Sequence, residues 1–277
     1  MSLTAESFTF VADLVRRRSA IQLDAGKEYL VESRLLPLAR AAAAADVDAY
    51  VRAVRASNHP TALQDVVEAL TTNETSWLRD GQPFQALVDQ VVPDVLATAR
   101  AGAVPGPLRI WSAACSSGQE PYSIAMTLAD ARPGLDLRIV ATDLSEQMVT
   151  RARAGRYNQL EINRGLPATM LVRYFTRSGA DWEVVPALRD RITFQRHNLL
   201  DAPPLGGPFD VVFLRNVLIY FDLATKRDIL RRVQQVLRPG GYLFLGAAET
   251  TIGIDDSWER VPVGRGSVYR TTPRRAA

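Results

Sequence analysis

Between Leu108 and Met126 the chain changes its periodicity in one step. Leu108 to Trp111 reads as a short apolar strand. It runs into the small residues Ser112-Ala113-Ala114-Cys115-Ser116-Ser117-Gly118, and from Gln119 onward the pattern is helical, with Pro121 suited to a first turn. A strand-turn-helix built from small side chains lets a ligand lie against the backbone. The helix start adds free N–H groups and the positive end of a dipole. The same alternation continues downstream: helix 119–131, strand Leu137–Ala141, helix 145–154, strand Phe209–Leu214, helix 223–237, strand Tyr242–Leu245 and a last strand Ser267–Thr271. Such alternation predicts an α/β fold with a parallel, doubly wound sheet, which binds ligands at the carboxyl ends of its strands.

The first 70 residues carry only helical spacing, near 6–18, 24–44, 46–56 and 61–71. Asp24 and Asp46 are expected N-caps, Pro60 marks a helix start, and Pro37 is expected to kink or interrupt the second helix. A further helix is expected from about 82 to Ala103, then a turn over Gly102–Pro107. Segment 157–195 breaks the strand–helix rhythm. A helix at Ala168–Phe175, a turn at Ser178-Gly179 and strand-like pieces at Trp182–Val185 and Arg191–Phe194 suggest a small insertion. The domain reading is therefore 1–70 helical and 71–277 α/β, with an inserted subdomain at about 157–195.

No apolar run in the 277 residues reaches membrane-spanning length, and the N-terminus lacks a basic-then-apolar leader. The single cysteine, Cys115, excludes an internal disulfide and fits a reducing, cytoplasmic setting. His59 and His197 stand apart without ligand spacing, so no metal is expected. A net charge of +3 gives no reason to expect a nucleic-acid partner.

Three further sites narrow the ligand. Asp143 closes the second strand roughly 20–25 residues beyond the Gly118 turn, where dinucleotide-type folds place a ribose-binding carboxylate. The same side chain could instead cap helix 145–154. Leu237-Arg238-Pro239-Gly240-Gly241 stops one helix and turns into a strand, and no GxGxxG turn follows the first strand. Phe209 to Asp222 delivers Arg215 and Asn216 at the carboxyl end of a buried strand, with Tyr220 close behind.

Together with Leu70-Thr71-Thr72-Asn73-Glu74-Thr75-Ser76-Trp77-Leu78-Arg79-Asp80, His197-Asn198-Leu199-Leu200 and Arg215–Asp222, these residues resemble the CheR-type chemotaxis receptor methyltransferases over nearly the whole chain. The resemblance implies a class I S-adenosylmethionine-dependent methyltransferase, with a Rossmann-like doubly wound sheet, a small all-helical N-terminal receptor-recognition domain and a small β insertion. It implies S-adenosyl-L-methionine as cofactor and S-adenosyl-L-homocysteine as product. It implies methylation of glutamate side chains in the cytoplasmic helices of bacterial chemoreceptors. Carried over by motif, Asn73, Thr75, Arg79, Ala113, Glu120, Asp143, Asn198, Leu199, Arg215, Asn216 and Tyr220 would line the cofactor site. Asp143 would hold the ribose, Glu120 would attract the ammonium, and Asn198 and Leu199 would frame the adenine. Arg79 and Tyr220 would lie nearest the transferring methyl, as the catalytic pair. The chain departs from the family at Trp77-Leu78, where aromatic pairs are common, and at Gly246-Ala247-Ala248-Glu249, where many members have Gly-His-Ser-Glu. The insertion is terse, which favours an enzyme that works without a C-terminal pentapeptide tether. The alternative within the same fold is a methyltransferase acting on another protein or on a small-molecule carboxylate.

Overall fold

The computed structural model describes residues 3–100, 106–264 and 266–271, and the chain divides into two compact units. One comprises Met1–Thr72 with Tyr220–Thr225, the other Asn73–Ile219 with Lys226–Ala277.

In the first unit, α1 (Ala5–Ser19), α2 (Glu28–Ala41), α3 (Val47–Ser57) and α4 (Pro60–Ala69) bury one stripe each. Val31, Leu35 and Ala39 of α2 recur every four residues, as a core-facing helix requires. Asp46 caps α3 by accepting the Ala49 N–H at 2.8 Å. Asp24 does not cap α2: the helix starts at Glu28, and Asp24 instead pairs with Lys27 at 2.9 Å. Pro37 does not interrupt α2, which runs through it to Ala41 with Pro37 on the exposed side. Thr4 caps α1 and its hydroxyl donates to Asp48 Oδ1 of α3 at 2.7 Å, tying the two helices.

The second unit is a seven-stranded sheet with helices on it. Its chain order begins with α5 (Gln82–Ala86), a π turn (Leu87–Val91) and α6 (Val92–Arg100). The single helix expected there is thus interrupted by a wider turn, and its expected end at Ala103 lies outside the described residues. Next come β1 (Leu108–Ala113), α7 (Gln119–Ala131), β2 (Leu137–Asp143) and α8 (Glu146–Ala154). The insertion follows: β3 (Arg156–Tyr157), α9 (Gln159–Ile162), α10 (Ala168–Tyr174), β4 (Phe175–Ser178), β5 (Asp181–Val184) and α11 (Pro186–Arg189). Then come β6 (Ile192–Arg196), β7 (Phe209–Leu214), α12 (Leu223–Val236), β8 (Leu237–Leu245), β9 (Trp258–Val263) and β10 (Gly266–Thr271).

The sheet order is β6-β2-β1-β7-β8-β10-β9, parallel through β8, with β10 antiparallel to both β8 and β9. Two expectations change here. The strand expected at Arg191–Phe194 inside the insertion is β6, which pairs in parallel with β2 and belongs to the main sheet. Its alternation (Ile192 and Phe194 buried, Thr193 exposed) suits a sheet edge as well as a small hairpin, so pattern alone did not assign it. The Pro239-Gly240-Gly241 turn is absorbed into β8, where the pairing with β7 is irregular between Phe209 and Val211.

The core of this unit is apolar on both faces of the sheet. Every residue of β7 is buried, as a central parallel strand demands. Trp77, Tyr122, Tyr157 and Phe175 form an aromatic knot, with Trp77 4.8 Å from Tyr157 and 5.4 Å from Phe175 between ring centres. Among the described residues no helix is long and apolar enough to cross a membrane.

Candidate functional site

Register places the site. Ala113, the last residue of β1, lies opposite Thr142 of β2 and Leu214 of β7. The next residues on those strands, Asp143 and Arg215, therefore flank the loop that leaves β1. The strand order reverses between β1 and β7, which makes this the crevice where open α/β sheets take their ligands.

The loop Ala114–Gly118 is sharply wound. Ala114, Ser116 and Gly118 have φ of 63°, 49° and 96°. A Cβ on Gly118 would lie 2.9 Å from Ala152 Cβ and from the Tyr157 hydroxyl, so the turn needs glycine there. Asp143 braces it: Oδ2 accepts the Ser116 N–H at 2.8 Å and Oδ1 accepts the Ser145 N–H at 3.0 Å. Helix α8 is capped by Ser145, whose hydroxyl accepts the Met148 N–H at 3.3 Å. Of the two readings of Asp143, the capping role thus falls to its neighbour. An ionised carboxylate has about four acceptor positions.

Glu120, in the first turn of α7, sits under the same loop. Its Oε1 accepts the Ser112 hydroxyl at 2.8 Å and its Oε2 accepts Arg215 Nη1 at 3.0 Å. Burial pushes its carboxyl up, against the opposing pull of Arg215 and Ser112. Arg215 has a side chain only 1% exposed. Its Nη2 also donates to the Arg79 carbonyl at 2.9 Å and to Asp80 Oδ2 at 2.6 Å, and its Nε is buried with no hydrogen-bond partner among the described residues.

That bond reaches the segment that carries Arg79. Leu78, Asp80 and Gly81 all have positive φ (48°, 69° and 59°), a costly run for two side-chain-bearing residues. It is held from three sides. Arg215 grips Arg79 and Asp80, the Leu78 N–H donates to Ser123 Oγ at 3.0 Å, and buried Trp77 donates Nε1 to the Glu161 carbonyl at 3.0 Å. The insertion therefore buries the aromatic that anchors this segment. Arg79 itself is half-buried and donates Nη1 to the Glu74 carbonyl at 3.1 Å. Asn73 enters through its carbonyl, which accepts the Ser116 hydroxyl at 2.7 Å.

The remaining expected residues fall as follows. Ala113 is fully buried at the end of β1. Asn198 and Leu199 follow β6, where the His197 N–H donates to the Asp143 carbonyl at 2.8 Å, and Asn198 Oδ1 turns the chain by accepting the Leu200 N–H at 3.1 Å. Thr75 lies half-buried between Asn73 and Trp77. Asn216 follows Arg215 with φ of 58°. Tyr220 groups with the helical unit, where its carbonyl accepts the Gln22 N–H at 3.4 Å. Asp80 and Glu249 were given no role by the sequence. Asp80 stood in a quoted motif, and its pairing with Arg215 joins residues too far apart for any spacing rule. Among the described residues no group of His, Cys, Asp and Glu side chains gathers to hold a metal ion.

A doubly wound sheet with its seventh strand reversed, a carboxylate in the first turn of α7 and another at the end of β2 define a class I S-adenosylmethionine-dependent methyltransferase. Comparison with known proteins agrees. The CheR methyltransferase SAM binding domain matches residues 73–265, and the CheR methyltransferase all-alpha domain matches residues 6–71. The chain is 42% identical to the chemotaxis protein methyltransferase Cher2 of Pseudomonas putida, over 92% of this chain and 94% of that one. It is 42% identical to chemotaxis protein methyltransferase 1 of Pseudomonas aeruginosa (98% and 99% covered) and 34% identical to the chemotaxis protein methyltransferase of Escherichia coli (90% and 86% covered). A solved magnesium protoporphyrin IX methyltransferase from Synechocystis with bound SAM shows a distant likeness: TM-score 0.38 and 18% identity, over 73% of this chain and 87% of that one. The chain belongs to the CheR methyltransferase family.

Proposed function

We propose that this chain transfers the methyl group of S-adenosylmethionine to glutamate side chains of chemoreceptor cytoplasmic helices, giving glutamate methyl esters. The observation that carries this is the near full-length likeness to chemotaxis protein methyltransferases, joined to a β1 loop at the switch point that Asp143 braces and beside which Arg215 pairs with Glu120 and Asp80. When bound, the cofactor supplies an electrophilic methyl on a sulfonium.

An acceptor glutamate is already ionised near neutral pH, with an ordinary pKa of about 4.3. It needs no general base, only orientation and exclusion of water. In this reading Asp143 accepts from the ribose hydroxyls, and Glu120 attracts the ammonium. Asn198 and Leu199 frame the base, while Asn73, Thr75, Ala113, Arg215 and Asn216 complete the lining. Arg79 and Tyr220 orient the acceptor carboxylate and the methyl donor.

The helical unit serves to recognise the receptor. Of the arginines suited to that role, Arg34 donates to the Thr71 carbonyl and the Thr72 hydroxyl, Arg52 pairs with Asp48, and Arg55 pairs with Glu6. Arg40, exposed in the last turn of α2, is the residue we assign first to receptor contact. The hairpin β4–β5 closes through Gly179-Ala180 alone, which supports catalysis without a tether. Action on cytoplasmic helices requires a cytoplasmic enzyme.

The test is methyl transfer from tritiated S-adenosylmethionine to purified receptor cytoplasmic fragments, read as base-labile methanol. Label on a receptor glutamate is the expected result. Transfer only to other proteins or to small carboxylic acids would overturn the receptor assignment, and binding of a receptor C-terminal pentapeptide at micromolar strength would overturn tether independence.

A further inference from the structure

We propose that Glu249 is a positioning residue whose carboxylate fills a nest of backbone N–H groups and so fixes the Asn216–Ile219 turn at the mouth of the crevice. Its effect on the cofactor rests on the reading above, in which Asn216 touches that ligand.

Five backbone donors converge on this one side chain. Oε2 accepts the N–H groups of Asn216 and Gly246, each at 2.7 Å. Oε1 accepts those of Val217 at 2.9 Å, Leu218 at 2.7 Å and Ile219 at 3.4 Å. Successive N–H groups aimed into one concavity make an anion site. Here the protein supplies the anion itself. The turn needs it, because β7 ends at Leu214 and no sheet partner takes these donors. Asn216 also holds φ of 58°, a left-handed conformation that asparagine adopts more readily than most residues and that suits a tight turn.

The fit is close. A Cβ on Gly246 would lie 2.7 Å from both Glu249 Oε2 and Asn216 Nδ2, so glycine at that position is what lets the carboxylate reach the turn. An amide in place of Glu249 would keep one acceptor and turn the other oxygen position into a donor facing two or three backbone N–H groups. The site therefore asks for a carboxylate, and shape alone does not satisfy it.

The experiment compares wild type with Glu249→Ala and Glu249→Gln by hydrogen exchange and by calorimetric titration with S-adenosylhomocysteine. In both variants the amides of 216–219 should exchange faster while those of β7 stay protected. Affinity should fall by about tenfold, the worth of one hydrogen bond. Sodium formate, but not sodium chloride at equal ionic strength, should restore both readings in Glu249→Ala by refilling the nest. Gly246→Ala, which keeps the charge and displaces the carboxylate, should reproduce the loss if the truncation fails to fold. Unchanged exchange at 216–219, or no distinction between formate and chloride, would overturn the inference. Absence of S-adenosylhomocysteine binding by the wild type would instead remove the cofactor reading, and the exchange contrast would still decide the clamp.

Discussion

Arg215 and Glu120 meet in an ion pair 3.0 Å long that joins the end of β7 to the first turn of α7 across the mouth of β1. The arginine is all but removed from solvent, and the same guanidinium reaches back to Asp80 and to the Arg79 carbonyl. One cation thus ties the wall that faces the proposed ammonium to the segment that carries the proposed catalytic arginine. The pair is a structural hub before it is a binding group.

The proposed contact of Glu120 with the ammonium predicts that cofactor binding depends on pH. Burial raises its carboxyl above the ordinary value, so on acidification it takes up a proton earlier than an exposed glutamate does. A neutral Glu120 no longer attracts an ammonium. Calorimetry between pH 7 and pH 5 should show S-adenosylhomocysteine affinity weakening as pH falls, from a point above about 4.3, the exposed-glutamate value. Glu120→Gln should bind more weakly throughout and show a flat profile. A wild-type profile equally flat would dissociate Glu120 from the ligand.

Removing Arg215 should cost stability more than surface arginines do. Arg215→Met leaves Glu120 buried against Ser112 alone and frees Asp80 and the Arg79 carbonyl. An uncompensated buried charge costs about 3–5 kcal/mol. Urea unfolding should register a loss on that scale. Adding Glu120→Gln to Arg215→Met should recover part of it, since the stranded charge is gone. Additive losses in the double variant would mean that the two side chains are not coupled.

Asp143 braces the β1 loop and is proposed to hold the ribose, and two substitutions separate these roles better than one. Asp143→Asn keeps one carbonyl oxygen for an N–H but turns the other position into a donor facing the Ser116 or Ser145 N–H. Asp143→Ala removes both braces and the proposed ribose acceptor. Loss of charged hydrogen bonds is worth about 1.5–3 kcal/mol. S-adenosylhomocysteine affinity should drop on that scale in Asp143→Ala, with Asp143→Asn between it and wild type. Calorimetric constants equal to wild type in both would end the ribose assignment.

What the sequence made legible was local. The strand-turn-helix at Leu108–Met126, the last strand and the helical first unit follow from periodicity, because each is decided by neighbours within a few residues. Boundaries set by distant partners were not legible. Ile192–Arg196 reads like part of a hairpin until β2 is found beside it, and Asp24 reads like a cap until Lys27 takes its charge. The site divides the same way. Asp143 and Glu120 stand at positions that a strand end and a helix start make conspicuous. Glu249 stands in the quoted run Gly246–Glu249 with no role that the run itself suggests, and only the fold brings it to the backbone of Asn216–Ile219, 30 and more residues earlier.

Arg79 and Tyr220 should lower turnover by different routes. The Arg79 segment holds three consecutive-range positive φ values at Leu78, Asp80 and Gly81, and strain of this kind persists where it aims a side chain. Arg79→Ala leaves that backbone gripped by Arg215 through the carbonyl, so the fold survives while the guanidinium is lost. Loss of the group that orients the acceptor carboxylate toward the methyl costs about 10²-fold in kcat. Arg79→Lys keeps the charge but not the planar fork and should recover only part of the rate. Tyr220→Phe deletes a single hydroxyl and should lower kcat by about tenfold, as one hydrogen bond does, with S-adenosylhomocysteine affinity less affected. Single-turnover methyl transfer to receptor fragments, measured beside calorimetric affinity, separates the two effects. Rates equal to wild type in both Arg79→Ala and Tyr220→Phe would leave catalysis to positioning by Glu120, Asp143 and the crevice alone.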